Sequence, residues 1–564
     1  MTGDPDVSTK HDWQEGAMNE PTQHDVVILG GGLAGLTLAI QLRQRFPQLD
    51  LLVLERRRHP VPESVHKVGE STVEIGANYF DTVLGLKDHL ATRQLRKFGF
   101  RFFFCEGHEH LENVVELGAS RYLAAPSYQL DRGILENYLG ELARELGIEF
   151  IDGAVVRSFE LGSADTPHRV RYEAAGEMRE VRGRWLIDAS GRAGLVKRKL
   201  DLAQDNAHDA NAVWFRIGDR IDVNDWSADR EWLERCDPPH RWLSTNHLCG
   251  EGYWVWLIPL ASGSHSVGIV CDAKTHPLET MNTFDKAMDW FRKYQPRLAG
   301  AIESKRHLLQ DFCFLRNFSY GCKQVFSGDR WALTGEAGVF LDPFYSPGSD
   351  FIAIGNTYIT DLVARDLQGD YIGGHAHIYQ QLYSSFYEST LSLYTDQYGL
   401  FGDPEVMPVK VIWDYTFYWG ILCQIFFQRR LTDLSNISRV STELNQARVL
   451  NLAMQKFMRE WSNASRKRNA PVLLDQASLP WFCELNRGLR QEVDEAGFRA
   501  RIKEYTALLF MLAAEIVERA TEQSPELDAA EARAALGDAL PRASGPLLFT
   551  ASYDTDGRFA RKAG

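Results

Sequence analysis

Apolar and polar residues follow one another along this chain in three regimes. The first is HDVVILGGGLAGLTLAIQLRQRF at residues 24–46, where a β-branched run meets glycines and apolar residues then recur at helical spacing. That order predicts a strand, a tight turn and a helix. A second apolar strand, LDLLVLE at 49–55, follows without a long loop and completes a βαβ unit, which predicts a parallel, right-handed crossover. Short β-like runs dominate from about 100 to 330, among them RFFF, VRYEAA, YWVWLIPL and HSVGIV, the pattern of a mixed or antiparallel sheet. Beyond WALTGEAG at 331–338, helical periodicity takes over in FIAIGNTYITDLVARDL, RVLNLAMQKFMREW and RIKEYTALLFMLAAEIVERA. The fold class predicted is α/β. Its parts are a βαβ segment at 22–110, an inserted substrate-side sheet at 111–330, a return to the first lobe at 331–365 and a helical C-terminal region at 366–564. The stretch after 540 reads as a loose tail.

At 564 residues the chain is too long for one compact core, which predicts two or three joined lobes. Hydrophobic content of 44% and charged content of 24% are ordinary for globular proteins and argue against extended disorder. A net charge of -14 disfavours attraction to nucleic-acid phosphates, so no nucleic-acid partner is expected. The eight cysteines form no CxxC pair and no His/Cys cluster at metal-ligand spacing, which predicts reduced thiols and no metal. Residues 1–20 are polar and acidic, without the basic start and apolar stretch of a secretory signal, so a cytoplasmic location is expected. No apolar run approaches the roughly 20 residues that span a bilayer, and no membrane span is predicted.

The candidate chemistry begins at GGGLAG. Gly30, Gly32 and Gly35 have the GxGxxG spacing, which gives a tight turn, a close approach of backbone to a pyrophosphate and close helix-strand packing. The phosphate would meet the positive N-terminus of the following helix. Glu55 stands 20 residues after Gly35 at the end of the second strand, where a carboxylate can accept from ribose hydroxyls. In its βαβ context this is a strong dinucleotide signal, but the turn serves FAD and NAD alike.

Two further segments resemble flavoproteins of the group that includes para-hydroxybenzoate hydroxylase, geranylgeranyl reductase and the halogenases. WLIDASGR at 185–192, with Asp188, is similar to that group's second dinucleotide segment. WALTGEAGVFLDP at 331–343 is similar to the segment that brings a strand end and a helix N-terminus to the flavin, with Gly335-Glu336 where the group usually has Gly-Asp. Arg132, in YQLDRGILENYL, matches an arginine position near the cofactor phosphates. The resemblance implies an FAD-binding, Rossmann-like fold of the glutathione reductase and para-hydroxybenzoate hydroxylase type. FAD would then be held by Gly30, Gly32, Gly35, Glu55, Arg132, Asp188, Gly335, Glu336 and Gly348.

WVWLIP at 254–259 matches the WxWxIP motif of flavin-dependent halogenases. Trp254 and Trp256 are two apart on a strand and share a face, where their indoles can wall off space beside a flavin. The alternative is that both are simply core aromatics. KVGESTVEIG at 67–76 is similar to a halogenase segment that lies against the flavin, and LRKFGFRFFF at 95–104 to one in which a lysine opens a strand. On that match Lys97 is the candidate catalytic lysine, with Lys67 as fallback, and a functional lysine should have a perturbed pKa. The implied chemistry uses FAD reduced by a separate flavin reductase, dioxygen and chloride or bromide. Hypohalous acid would reach Lys97 through an internal channel, be hydrogen-bonded there or captured as a haloamine, and halogenate an electron-rich aromatic or polyene in secondary metabolism.

The chain departs from the family at DPFYSPG. Tryptophan halogenases pair their lysine with a glutamate here, whereas this chain has Tyr345, which points to phenols, pyrroles or carrier-tethered groups as substrates. Pro347 has no N–H for a halide, leaving Ser346, Gly348 or Ser349 to supply donors. The aromatic segment VKVIWDYTFYWGILCQIFFQRR at 409–430 reads as a substrate channel or carrier surface, or, in the favoured reading, as a buried helix. Two other functions stay open: a flavin hydroxylase or desaturase without halide use, and a non-catalytic FAD-bound scaffold.

Overall fold

The computed structural model describes residues 21–63, 68–163 and 165–528, with a few more between 533 and 560. Lys67, the N-terminal segment 1–20 and most of the tail beyond 540 lie outside the described residues.

The chain opens with β1 (Thr22–Leu29), α1 (Leu33–Arg45) and β2 (Leu51–Glu55), and β1 pairs with β2 in parallel. After β3 (Phe100–Phe103), β4 (Glu116–Gly118) and α2 (Arg132–Glu145) come β5 (Glu149–Asp152), β6 (Val155–Glu160), β7 (His168–Ala174) and β8 (Glu177–Asp188). The first sheet runs β5-β2-β1-β8-β7-β6, and β14 (Trp331–Leu333) lies against β8. Val26, Val27, Ile28, Leu51, Leu52 and Val53 are fully buried, as central parallel strands covered on both faces must be. On one side α1 packs against α2 and α3 (Gly348–Leu367).

The second sheet runs β13-β9-β12-β11-β10-β3-β4-β15. Here β9 is Ala210–Ile217, β10 Thr245–Gly250, β11 Tyr253–Pro259, β12 His265–Asp272, β13 Leu309–Leu315 and β15 Leu473–Asp475. Side chains alternate along β11. Trp254 and Trp256 face the core shared with the first sheet, while Val255 and Leu257 face a separate core that includes Phe291 and Ile302. Beyond β14 the chain is mainly helical, through α3, α4 (Gly373–Leu391), α5 (Met407–Phe417), α6 (Ser441–Ala464) and α7 (Glu495–Gln523). Helices α5 and α6 both pack on α7, and the three close over the first two layers.

The structure moves three of the expected boundaries. Residues 149–188, including the VRYEAA run, belong to the first sheet rather than to an inserted one. The reason is β8: its apolar second half lies parallel to β1 from Val26↔Trp185 to Leu29↔Asp188, and the β6-β7 strands extend from its first half. The second sheet begins at Phe100, before residue 111, and β15 of the helical region adds a strand at its edge through the register Leu473↔Glu116. All eight cysteines are free thiols. No described helix is long and apolar enough to cross a membrane.

One ionic cluster ties the second sheet together. Glu116 accepts from Arg101 of β3 and, at 2.8 Å, from Arg241, and all three side chains are fully buried. Burial alone would raise the pKa of Glu116, but the two guanidinium groups bring it below the ordinary carboxylate value. Replacing Glu116 by alanine leaves both cations buried without their carboxylate. The expected cost is about 3–5 kcal/mol, read as a lower denaturant midpoint of the purified protein.

Candidate functional site

The glycine turn between β1 and α1 is shaped by contacts that leave no room for side chains. Gly30 has φ +116°, and a Cβ there would lie 2.3 Å from the Ala189 carbonyl oxygen. A Cβ on Gly35 would lie 2.0 Å from the oxygen of Gly30, so the helix sits directly on the turn. Gly32, at the N-terminus of α1, has nothing within 4 Å of where its Cβ would be. It faces a cavity of about 760 Å³ that runs between the two sheets. Glu55 belongs to the cavity wall, and its carboxylate accepts from the Gly31 and Arg57 N–H groups, both at 2.7 Å.

Arg132, Gly335, Glu336 and Gly348 line the same cavity. Arg132 donates to the Val68 oxygen and to Glu136, both at 2.7 Å, while its buried Nε has no partner. Burial lowers the pKa of Arg132 and raises that of Glu336, with Arg192, Arg132 and Lys197 opposing the shift at Glu336. Asp188 is the exception. It is turned away from the cavity and accepts from the Ser190 N–H at 3.0 Å, the Ser190 hydroxyl at 2.5 Å and the Val196 N–H at 2.7 Å. Its role in this structure is to fix the turn at 189–194, so Ala189, Ser190 and Gly191 form the wall in its place.

Trp254 and Trp256 line the far end of the cavity with ring centroids 5.8 Å apart. Trp254 donates to Tyr398 at 3.2 Å and Trp256 to Ser266 at 3.1 Å, and Trp256 lies over Gly268 of the neighbouring strand. The first turn of α3 reaches the same end. Pro347 caps that helix, Ser346 before it adopts φ +53°, and the Ser349 hydroxyl is buried without a partner.

Lys97 is buried at 3% exposure between β3 and a short strand at Leu95–Arg96. Its Nζ donates to the Ser71 hydroxyl at 2.9 Å and the Thr72 oxygen at 3.0 Å, and it lies 3.3 Å from the centroid of the Phe100 ring. Burial holds this amine well below the usual lysine range, an effect that Glu74 and Asp350 oppose. Glu74 is raised by burial, and one of its oxygens has no partner. Asp350 is raised to about 7, first by burial, while the Tyr418 hydroxyl and the Gly76 N–H hold it down. Neither acid was anticipated from sequence. The only local signals were their places in VGESTVE and DPFYSPGSD.

A second cavity of about 290 Å³ lies under the C-terminal helices. Phe100, Tyr345, Tyr394, Tyr415 and Tyr418 give it an aromatic lining. The segment 409–430 is largely buried and helical as favoured, and Asp414, Tyr415, Phe417, Tyr418, Ile421 and Leu422 of it line this cavity. Pro347 and Phe351 belong to the walls of both cavities. Lys97 itself faces a small hollow that it shares with Glu74 and Tyr415, and its amine touches Ser71 of the larger cavity and Phe100 of the smaller. Among the described residues no His, Cys, Asp and Glu groups are arranged to hold a metal.

The comparisons with known proteins agree with this geometry. Residues 23–286 match the family described as FAD binding domain. Flavin-dependent halogenase chlA of Dictyostelium discoideum is 25% identical over 456 residues, which cover 73% of this chain and 74% of that protein. The 1H-pyrrole-2-carbonyl peptidyl-carrier-protein brominase of Pseudoalteromonas luteoviolacea is 24% identical over 63% of this chain and 80% of its own length. The crystal structure of halogenase PltM in complex with phloroglucinol and FAD shares the fold, with a TM-score of 0.60 at 18% identity, over 89% of this chain and 96% of that one. The open face of Gly32, the partnerless Nε of Arg132 and a cavity of about 760 Å³ suit FAD.

Gly32→Val tests the cradle. Its backbone is extended at φ -81° and the space around it is empty, so valine is tolerated by the protein but fills the phosphate position. The flavin-free variant should unfold at the wild-type midpoint and fail to take up FAD, as followed by flavin absorbance.

Proposed function

We propose that this chain, an FAD-dependent enzyme of the flavin-dependent halogenase family, places chlorine or bromine on an electron-rich aromatic ring held in the smaller cavity. The observation that carries the reading is the burial of Lys97 with its amine against Ser71 of the flavin-sized cavity and Phe100 of the aromatic one. A flavin hydroxylase has no need of an amine at that point.

Bound reduced FAD and dioxygen supply the oxidising power that converts halide to hypohalous acid. The protein's own groups do the rest. The Gly348 and Ser349 N–H groups, at the positive end of α3, and the partnerless Ser349 hydroxyl would hold halide, which offsets the donor missing at Pro347. Trp254 and Trp256 wall the larger cavity, and Pro347 and Phe351 stand between it and the smaller one. Lys97 then either hydrogen-bonds hypohalous acid or carries its halogen. In the second case an N–X bond forms as the O–X bond breaks, and the hydroxide leaves as water with a proton from nitrogen. The ring's π electrons attack the halogen, and the N–X pair stays on nitrogen, which takes up a proton. The depressed pKa of Lys97 favours the free amine that this capture needs.

The aromatic lining and the modest volume suit a phenol or pyrrole, free or tethered to a carrier protein. A relative named for a carrier-bound pyrrole and a related structure holding phloroglucinol support that range. A single dinucleotide fingerprint in the chain supports delivery of reduced flavin by a separate reductase.

The test supplies reduced FAD, oxygen and bromide with free and carrier-bound phenols and pyrroles, and reads the bromine isotope doublet by mass spectrometry. Lys97→Ala should keep FAD and still release hypobromous acid to a chemical trap, yet lose at least about 100-fold in brominated product. Bromination by this variant at the wild-type rate would remove Lys97 from the reaction.

A further inference from the structure

We infer that Asp350 is the base that removes the ring proton during halogenation, a role that rests on the halogenase reading above. Once the carbon-halogen bond has formed, the ring carbon still carries its hydrogen. Rearomatisation breaks that C–H bond, returns its electron pair to the ring and requires an acceptor for the proton. The cavity must provide one.

Among the described residues that line the smaller cavity, the carboxylates are Asp350 and Asp414, and there is no histidine. Asp414 is already engaged by three donors: Lys410 at 2.6 Å, Gln455 at 2.7 Å and the Tyr345 hydroxyl at 2.8 Å. This network fixes the tyrosine that stands where tryptophan halogenases have their glutamate. Asp350 accepts one bond on each oxygen, from the Gly76 N–H at 2.8 Å and the Tyr418 hydroxyl at 2.7 Å, which leaves a lone pair on each for a new proton. Both bonds hold the carboxylate on the first turn of α3, where Asp350 lines the cavity.

The groups facing Asp350 are Glu74, Lys97, Tyr418, Tyr394 and Cys423. Glu74 lines the small hollow that Lys97 also faces and does not line the smaller cavity, whereas Asp350 does. With a pKa raised to about 7, Asp350 can take a proton near neutrality and give it up again. The balance is then complete: the ring proton passes to Asp350 and from there to the Lys97 nitrogen that released the halogen, restoring both groups.

The experiment uses FAD-loaded wild type and Asp350→Asn with reduced flavin, oxygen and bromide. Phenol, resorcinol and pyrrole are each supplied with ring hydrogen or ring deuterium. Asp350→Asn should release trappable hypobromous acid at the wild-type rate and brominate at least about 100-fold more slowly, with a ring-deuterium isotope effect that wild type lacks. Wild-type bromination by the variant, or a loss of rate without an isotope effect, overturns the inference and leaves the halogenase reading standing. The first result would mean that another group, such as Lys97, takes the proton; the second, that Asp350 acts at a step other than C–H cleavage. Wild type that oxidises bromide yet brominates no member of the panel overturns both. If Asp350→Asn does not retain FAD, Tyr418→Phe decides. Loss of the hydroxyl donor raises the pKa of Asp350, so the acid limb of the rate profile should move to higher pH, and an unmoved limb would sink the role.

Discussion

The buried amine of Lys97 is the constraint around which this structure is arranged. An isolated ammonium in an apolar interior is strongly disfavoured, so the group must shed its proton or find compensation. Here it has two neutral oxygen acceptors, an aromatic face and two carboxylic acids that burial has itself brought toward neutrality. Among the described residues no ion pair within bonding distance fixes the lysine as a permanent cation. The site therefore keeps an amine whose charge can change, in a protein whose other deeply buried cations, such as Arg101 and Arg241, are firmly bound to a carboxylate. The proposed role of Lys97 rests on that contrast.

The rest of the fold gives this amine two different neighbourhoods. The first sheet and its glycine turn form one end of the larger cavity, and the tryptophan strand of the second sheet forms the other. The C-terminal helices roof a smaller aromatic space on the opposite side of Pro347 and Phe351. On the proposed reading, a halogenating species made beside the flavin would meet a ring bound under the helices at this boundary. Separation of this kind would let the proposed oxidant act without exposing the substrate to the flavin.

Much of this was legible in sequence where local pattern and function coincide. The βαβ unit announced itself because glycine spacing, apolar strands and helical period all fall within 35 residues of chain, from Thr22 to Gly31 and on to Glu55. The tryptophan strand was readable because period-two alternation puts both indoles on one face. Legibility failed where partners are distant in sequence. Strand β8 looked like part of an inserted sheet, since nothing local reveals that its second half lies beside β1. Asp188 matched a flavin-binding segment, yet its carboxylate is consumed by its own turn through Ser190 and Val196. Asp350 and Glu74 approach Lys97 from separate segments, and Tyr418, which orients Asp350, comes from 68 residues farther along.

The central claim is that one lysine joins a flavin cavity to a substrate cavity. A crystal structure of the protein with FAD and a bound phenol tests it most directly. The account predicts the isoalloxazine against Trp254 and Trp256, the phenol among Phe100, Tyr394 and Tyr415, and the Lys97 amine between them. A flavin ring lying elsewhere, or a phenol in the same cavity as the flavin with Lys97 remote from both, would contradict it.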